Sequence, residues 1–171
     1  MRKKLFIGPV FAAALLGIVL TTGCQINKSK TDDGLTGAWR GNVQITSGAY
    51  ADAKDVKFMY AFNAGGTMTE SSNYDAVPPG SPAYGMWRKI GARQYEARYE
   101  FFMNMPPASF DELAKGGGWM PDGHGVVTEK IILSADGNTF DSTLKYDFFN
   151  PEGKLIPGGG EAVSKAERLK F

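Results

Sequence analysis

Two glutamates lie in apolar segments, where a carboxyl group could carry out chemistry. Glu129 stands two residues before Ile131 and four before Leu133. Glu70 stands two residues after Met68. Residues two apart on a β-strand share a face, so a register that buries the apolar residues turns both glutamates inward. Such carboxyl groups could bind a polar head group or act as acid and base with raised pKa values. The alternatives are a strand read one residue out of register, or a neutralising arginine partner.

His124 is the only histidine of the chain, in a turn-like segment over residues 121–125. A Ser-His-Asp site would have to use it, and a barrel haem protein could use it as an axial ligand. Neither a nucleophile motif nor a second nitrogen ligand accompanies it, so we expect a solvated turn residue. The sequence predicts no catalytic residue, metal or cofactor.

Cys24 is the only cysteine, which excludes disulfides, zinc–cysteine clusters and thiol catalysis. Three basic residues at positions 2–4 and an apolar stretch over 5–20 precede it, in the layout of a secretory signal peptide. A transmembrane helix is the alternative, but Pro9 interrupts the stretch, which is short for a span of about 20 residues. Gly23-Cys24 resembles the lipobox of bacterial lipoproteins. That resemblance implies cleavage before Cys24 and acyl chains, such as palmitate, on the mature protein.

The lipoprotein resemblance also implies a location in the cell envelope. Several acyl chains form a lasting anchor, because each buried methylene contributes about 0.8 kcal/mol. Gln25, after the cysteine, implies forwarding to the outer membrane, facing the periplasm, if the source is Gram-negative. The chain then divides into a signal peptide (1–23), a polar lipidated tether (24–34) and one domain (35–171).

The charge of the mature chain argues against nucleic acid as a partner. Removal of residues 1–23 takes away three of the 19 basic residues and none of the 18 acidic residues, which leaves a net charge of −2. Nucleic-acid binding needs a clustered basic face, which the sequence does not contain.

Short runs of aromatic and β-branched residues alternate with turn clusters from residue 35 onward, which is an all-β pattern. The predicted strands are 37–46, 55–63, 66–73, 84–91, 94–103, 125–134, 139–149 and 161–171. Their connections alternate between short hairpins and long loops rich in glycine or proline. In an up-and-down antiparallel barrel, the short turns would then close one end and the four long loops would surround the other. We therefore predict an eight-stranded barrel, with a two-sheet sandwich as the alternative.

Alternation along the second, fifth and seventh predicted strands places aromatic residues on the inner face. Those nearest the long loops are the predicted ligand contacts: Phe58, Tyr99, Phe101, Tyr146 and Phe148. The alternative is that these rings fill the barrel.

Gly37-Ala38-Trp39 at the start of the first strand, with Arg168 near the end of the last, resembles the signature of calycins and lipocalins. The resemblance implies that this arginine crosses the indole and seals the barrel floor. Gly85-Met86-Trp87 and the segments FNAGGTMTES and LSADGNTF are similar to uncharacterised bacterial lipocalin-like proteins.

The connection over residues 104–124 is long and contains apolar side chains. Loops of this length are often functional. We predict a short helix capped by Ser109, and a mobile lid in which Phe110, Leu113 and Trp119 cover the mouth of the barrel. The alternative is a loop that packs on the outer wall.

Three functions follow from this interpretation. The first is a lipid-anchored protein that binds a small apolar or amphipathic molecule in the barrel. The second is a barrel enzyme, an isomerase or cyclase, that uses Glu70 or Glu129 as its base. The third is an envelope-assembly lipoprotein with a filled barrel. A cavity separates the first two from the third, and turnover separates the enzyme from the binder.

Overall fold

The structure, a computed structural model of the chain, describes residues 34–73, 81–115 and 118–171. The predicted signal peptide, Cys24 and the tether up to residue 33 lie outside the described residues, as do Gly116 and Gly117. No helix among the described residues is long and apolar enough to cross a membrane.

Eight strands and one short helix follow one another along the domain. They are β1 (Gly37–Ile45), β2 (Val56–Phe62), β3 (Thr67–Ser72), β4 (Ala83–Lys89), β5 (Gln94–Met105), α1 (Phe110–Ala114), β6 (Met120–Leu133), β7 (Thr139–Phe149) and β8 (Leu155–Arg168). Each strand pairs antiparallel with the next, and β8 pairs with β1, which closes the barrel. The predicted all-β, eight-stranded up-and-down barrel with a short helix between its fifth and sixth strands is confirmed.

The two ends of the barrel differ in their connections. The short turns 63–66, 90–93 and 134–138 lie at one end, here called the floor end. The connections from β1 to β2, β3 to β4, β5 to β6 and β7 to β8 leave and rejoin the strands at the other end, here called the mouth end. The alternation of connection lengths along the sequence therefore predicts correctly which loops lie together.

The strand ends differ most from the predicted ones in β6 and β8. β6 begins at Met120, and β8 begins at Leu155 and ends at Arg168, whereas β5 continues to Met105 and the other ends lie within two residues of the prediction. Pro121 and Gly123 indicate a loop in sequence, but Pro121 pairs only with β5, because β7 joins β6 from His124 onward. A proline costs no ladder hydrogen bond where one side of the strand has no neighbour. β5 and β6 therefore extend beyond their pairing with the rest of the barrel. We call residues 103–115 and 118–123 the β5–β6 arm.

A dense core occupies the floor half of the barrel. Its largest fully buried apolar side chains are Trp39, Tyr95, Phe62, Phe140, Leu35, Met68 and Ile131. Trp39 packs on Phe140 with ring centroids 5.0 Å apart, and its Nε1 donates to the Leu35 carbonyl at 2.8 Å. The backbone just before β1 therefore lies against the floor.

The Arg168 guanidinium closes the floor end. It lies 4.2 Å from the centroid of the Trp39 ring, the contact that the lipocalin resemblance implies. Its nitrogens also donate to the carbonyls of Thr36 at 2.7 Å, Gly137 at 3.0 Å and Gly34. The arginine thereby joins the start of the domain, the β6–β7 turn and the end of β8.

Gly37, the first residue of the resemblance, provides the space for this arginine. It has φ +132°, and a Cβ there would stand 2.8 Å from the Arg168 guanidinium. A side chain at position 37 would therefore be strained in its backbone and would displace the arginine.

Candidate functional site: a cavity at the mouth end

A cavity of about 440 Å³ opens at the mouth end of the barrel. This volume lies within the range of small-molecule sites. The lining includes Val43, Ile45, Tyr50, Val56, Glu70, Ser72, Tyr99, Phe101, Met103, Val127, Leu144, Tyr146, Phe148 and Ala162. Most of these side chains stand on inner faces of the strands, next to the long loops.

The walls of the cavity are apolar because each strand turns its alternate residues inward. β1 continues from Trp39 through Gly41 to Val43 and Ile45, and the last two line the cavity. Leu144 and Phe148 of β7, which is separated from β1 by β8 alone, line the adjoining part of the wall.

Phe58 marks the boundary between the cavity and the filled half of the barrel. A Cβ on Gly41 would stand 2.4 Å from the Phe58 ring, so the glycine provides the space that this ring occupies. The ring also packs on Tyr60, with centroids 4.3 Å apart, and is stacked with Phe140. Of the five predicted aromatic contacts, Tyr99, Phe101, Tyr146 and Phe148 line the cavity, whereas Phe58 belongs to the packed interior.

A layer of polar side chains crosses the interior at the base of the cavity. We call it the polar belt and define it as Tyr60, Glu70, Tyr99, Glu129, Ser142 and Ser164. The Tyr60 and Tyr99 hydroxyls share a hydrogen bond of 2.8 Å. Both hydroxyls also donate to the Oε2 atom of Glu129, that of Tyr60 at 2.9 Å and that of Tyr99 at 3.4 Å. Because Tyr99 lines the cavity, the belt reaches the cavity floor.

Glu129 is buried, with 1 % of its surface exposed. Burial raises the pKa of its carboxyl group to about 7, although the hydroxyls of Ser142, Tyr60 and Tyr99 offset part of the effect. Its Oε1 atom makes no hydrogen bond within the part of the chain that the structure describes. The carboxyl group of Glu129 therefore gains or loses its proton near neutral pH. Its Oε1 atom is an acceptor that no described residue uses.

The two belt tyrosines stay protonated under ordinary conditions. Burial, followed by the negative charge of Glu129, raises the pKa of Tyr60 and of Tyr99 well above the usual value. The charge of Glu70 contributes in the same direction for both. Both tyrosines therefore act as hydroxyl donors and acceptors.

Both glutamates take the inward orientation that the period of their strands predicts. Glu70 pairs in register with Tyr60, is half-buried and lines the cavity. Glu129 lies beneath it among hydroxyl groups, and the hydrogen bonds to its Oε2 come from tyrosines. Both carboxyl groups therefore lie close enough to the Tyr60 and Tyr99 hydroxyls to affect their pKa values.

Tyr146 holds the rim of the mouth. Its hydroxyl donates to the Ser47 carbonyl at 2.7 Å and thereby ties β7 to the β1–β2 connection. A Cβ on Gly160 would lie 2.1 Å from the same carbonyl and 2.7 Å from the Tyr146 oxygen. Glycine is therefore required at position 160 for this close approach.

The three side chains of the predicted lid stand outside the cavity lining. Phe110 is 80 % exposed, Leu113 42 % and Trp119 37 %, and none of the three lines the cavity. The arm instead contributes Met103, Asn104, Pro106 and Asp122 to the lining. The predicted Ser109 cap is present, since its hydroxyl accepts from the Glu112 backbone N–H.

His124 lies on β6 rather than in a turn. Its ring is stacked on that of Phe149, with centroids 5.0 Å apart and planes at 10°. Within the described ranges, no group of three or more histidine, cysteine, aspartate or glutamate side chains could hold a metal ion.

The outer wall carries a second, charged groove of about 600 Å³ across β7, β8, β1 and β2. Two ion pairs lie along it, Arg40–Glu167 at 2.5 Å and Lys165–Asp141 at 3.4 Å. The groove lacks the apolar lining that small-molecule sites have, and the mouth cavity is the better candidate.

Several residues that line the cavity were not among the predicted ligand contacts, because the prediction considered aromatic residues alone. Val43, Ile45, Leu144 and Ala162 stand at inward positions near the long loops, so the period of their strands was the signal that could have found them. Asn104 and Asp122 carried no such signal, because they belong to the arm that the sequence presents as a loop.

No protein-family model matches the chain, and comparison with curated proteins finds no significant match. The closed eight-stranded barrel fits the ligand-binding, lipocalin-like architecture in general.

Proposed function

We propose that this protein is a lipid-anchored envelope protein that binds a small amphipathic molecule in the mouth cavity. The observation that carries the proposal is the division of the barrel interior. A cavity with apolar walls ends on a polar belt, and a packed floor lies beneath it. Ligand sites have this composition, with mostly apolar lining and a few polar groups that orient the ligand.

The cavity favours binding over a purely structural role. A barrel that served only as a scaffold would gain stability by filling its interior, because apolar contacts stabilise at about 25 cal/mol per Å² buried. The floor half is filled in this way with large rings, but the mouth half leaves about 440 Å³ open.

The lipid anchor rests on the sequence of the first 24 residues. We expect Cys24→Ala to leave the protein unprocessed or soluble, and we expect the wild-type protein to stay with membranes in high salt. Salt screens charges but leaves acyl burial intact. Release of the wild-type protein by salt alone would contradict the anchor.

Native mass spectrometry of the protein purified from its own host tests the binding function. We expect a bound small molecule, released by denaturation and absent from a variant whose cavity is filled. Recovery of the wild-type protein without any ligand, together with failure to bind apolar probes, would contradict the proposal.

An enzyme is the second candidate, because the Glu129 pKa of about 7 suits general acid–base catalysis. Glu129 lies behind Tyr99, however, while Glu70 lines the cavity. Turnover of the co-purified molecule that is lost in Glu129→Gln, with binding retained, would favour this function over simple binding.

A further inference from the structure

We infer that the mouth cavity is coupled to the ionisation of Glu129, because an apolar ligand in the cavity favours the protonated form of this carboxyl group. The protein therefore takes up a proton when it binds its ligand, and its affinity falls as pH rises. The inference concerns the regulation of the proposed ligand site and rests on that proposed function.

Glu129 lies directly behind the lining of the cavity. Leu144, which pairs with it across β6 and β7, is a lining residue. Val127, two residues earlier on the same face of β6, is another. Tyr99 pairs with Val127, lines the cavity and carries a hydroxyl 3.4 Å from Glu129 Oε2. The carboxyl group therefore stands one layer of side chains away from a ligand in the cavity.

The groups that face Glu129 are hydroxyls and a second acid. The Tyr60 hydroxyl of β2 donates to it at 2.9 Å, and the Tyr99 hydroxyl of β5 approaches the same oxygen. Ser142 of β7 provides another hydroxyl. Glu70 of β3 is the other acid whose charge acts on the two tyrosines. No cation of the described chain pairs with Glu129, so its negative charge depends on these hydroxyls and on nearby solvent.

The occupancy of the cavity determines how much solvent lies near this charge. A cavity of about 440 Å³ whose lining includes polar residues such as Ser72 and Asn104 admits water. An apolar ligand replaces that water with a medium of low dielectric constant, which disfavours the charged form of a nearby carboxyl group. Occupancy of the cavity therefore raises the pKa of Glu129 above its value in the ligand-free protein.

The direction of the pH effect follows from linkage. Burial already raises the pKa of Glu129 to about 7, so both forms of the carboxyl group are present near neutral pH. A ligand that favours the protonated form binds with uptake of a proton, and by reciprocity the loss of that proton weakens binding. Affinity is therefore highest below about pH 7 and falls as pH rises through the range in which Glu129 ionises.

Titrations with the neutral fluorophore N-phenyl-1-naphthylamine at about pH 6, 7, 8 and 9 test the coupling. The probe keeps one charge state over this range, so only the protein titrates. We expect the dissociation constant of the wild-type protein to rise about tenfold over the range, a typical size for coupling between two sites. Calorimetry at about pH 7.5 in phosphate and in Tris, whose ionisation enthalpies differ, should then show uptake of about half a proton per bound probe.

Two variants locate the coupling. Glu129→Gln keeps a polar side chain of the same size behind the lining but cannot ionise, so its affinity should be the same at every pH, without proton uptake. Glu161→Gln is the matched control, because Glu161 is an exposed acid on β8 next to Ala162, which lines the cavity. This control should keep the pH dependence of the wild-type protein.

The outcomes separate the inference from the proposed function. If the probe fails to bind at every pH, the binding function fails and the inference fails with it. If the probe binds with the same affinity throughout and without proton uptake, the inference is overturned while binding stands. A pH dependence that persists in Glu129→Gln would assign it to another group, such as Glu70, and would also overturn the inference. Should that variant not fold, the measurement of proton uptake by the wild-type protein still decides.

Discussion

The floor and mouth halves of this barrel are built from the same eight strands, yet only one half is filled. In the floor half, large rings such as Trp39 and Phe62 meet across the interior, and Arg168 covers them. In the mouth half, Val43 and Ala162 stand at inward positions together with rings such as Phe148, and a cavity of about 440 Å³ stays open. The difference teaches that strands of one closed barrel can be densely packed at one end and leave a cavity at the other, so strand topology alone does not decide whether the interior is filled.

The same substitution, phenylalanine to alanine, should reduce the free energy of unfolding more in the floor half than in the mouth half. We expect Phe62→Ala, in the floor half, to reduce the free energy of unfolding by about 3 to 5 kcal/mol, because it leaves a cavity in a packed core. Phe101→Ala, at the half-buried wall of the existing cavity, should cost about 1 kcal/mol. Chemical denaturation of both variants measures the difference, and equal costs would contradict the contrast between the halves.

The polar belt between the halves should make stability depend on pH. The carboxyl group of Glu129 has its pKa raised from 4.5 to about 7 in the folded protein, so the native state holds a proton that the unfolded chain has released. The protonated Glu129 side chain therefore favours the native state fully below about pH 4.5. As pH rises from there to about 7, the free energy of unfolding falls by about 3 kcal/mol.

Glu129→Gln provides the control for this pH dependence. The variant should lose the decline in unfolding free energy between about pH 4.5 and pH 7, because glutamine does not titrate there. The measurement is the denaturation midpoint of both proteins across that range. The same slope in the variant would show that another group is responsible.

The floor seal should depend on the geometry of Arg168 and not only on its charge. We expect Arg168→Ala to cost about 2 kcal/mol, because its hydrogen bonds to three backbone carbonyls are lost. Arg168→Lys should recover little of this, since an ammonium cannot reproduce the planar fork. In a double-mutant cycle with Trp39→Ala, a coupling of about 1 kcal/mol would be consistent with the stacking, whereas strict additivity would contradict it.

The β5–β6 arm should have the smallest effect on stability. Trp119→Ala is expected to change the free energy of unfolding by less than about 0.5 kcal/mol, since the side chain is substantially exposed and does not line the cavity. Thermal unfolding of the Trp119→Ala variant, compared with wild type and with Phe101→Ala, measures this change in stability. A loss as large as that of a core truncation would show that the arm packs on the barrel in solution.

Much of the fold could be predicted from sequence because each strand has one buried face. The period of two placed Glu70 and Glu129 inward, and the alternation of connection lengths placed the long loops at one end. Strand ends were harder to predict, since Pro121 and Gly123 indicate a loop wherever they occur. Only the pairing of β6 with β5 shows that the strand includes them.

Part of the cavity lining was predicted for the same physical reason. Tyr99, Phe101, Tyr146 and Phe148 followed from alternation and distance to the long loops. Phe58 followed the same rule but belongs to the packed interior, because Gly41 on the neighbouring strand leaves room for its ring. The position of the arm depends on contacts between distant residues, so the sequence could not place Phe110 or Trp119.

Two alanines on the inner face of β8 offer the most direct test of the account. Ala162 lines the mouth cavity, and Ala166 lies in the packed floor half, where it pairs with Gly41 and Phe140. We expect Ala162→Phe to fill the cavity, abolish binding of N-phenyl-1-naphthylamine and leave the protein folded. Ala166→Phe should overpack the floor and destabilise the protein by about 1 to 3 kcal/mol, with binding retained in the folded fraction. Undiminished probe binding by folded Ala162→Phe would contradict the assignment of the mouth cavity as the ligand site.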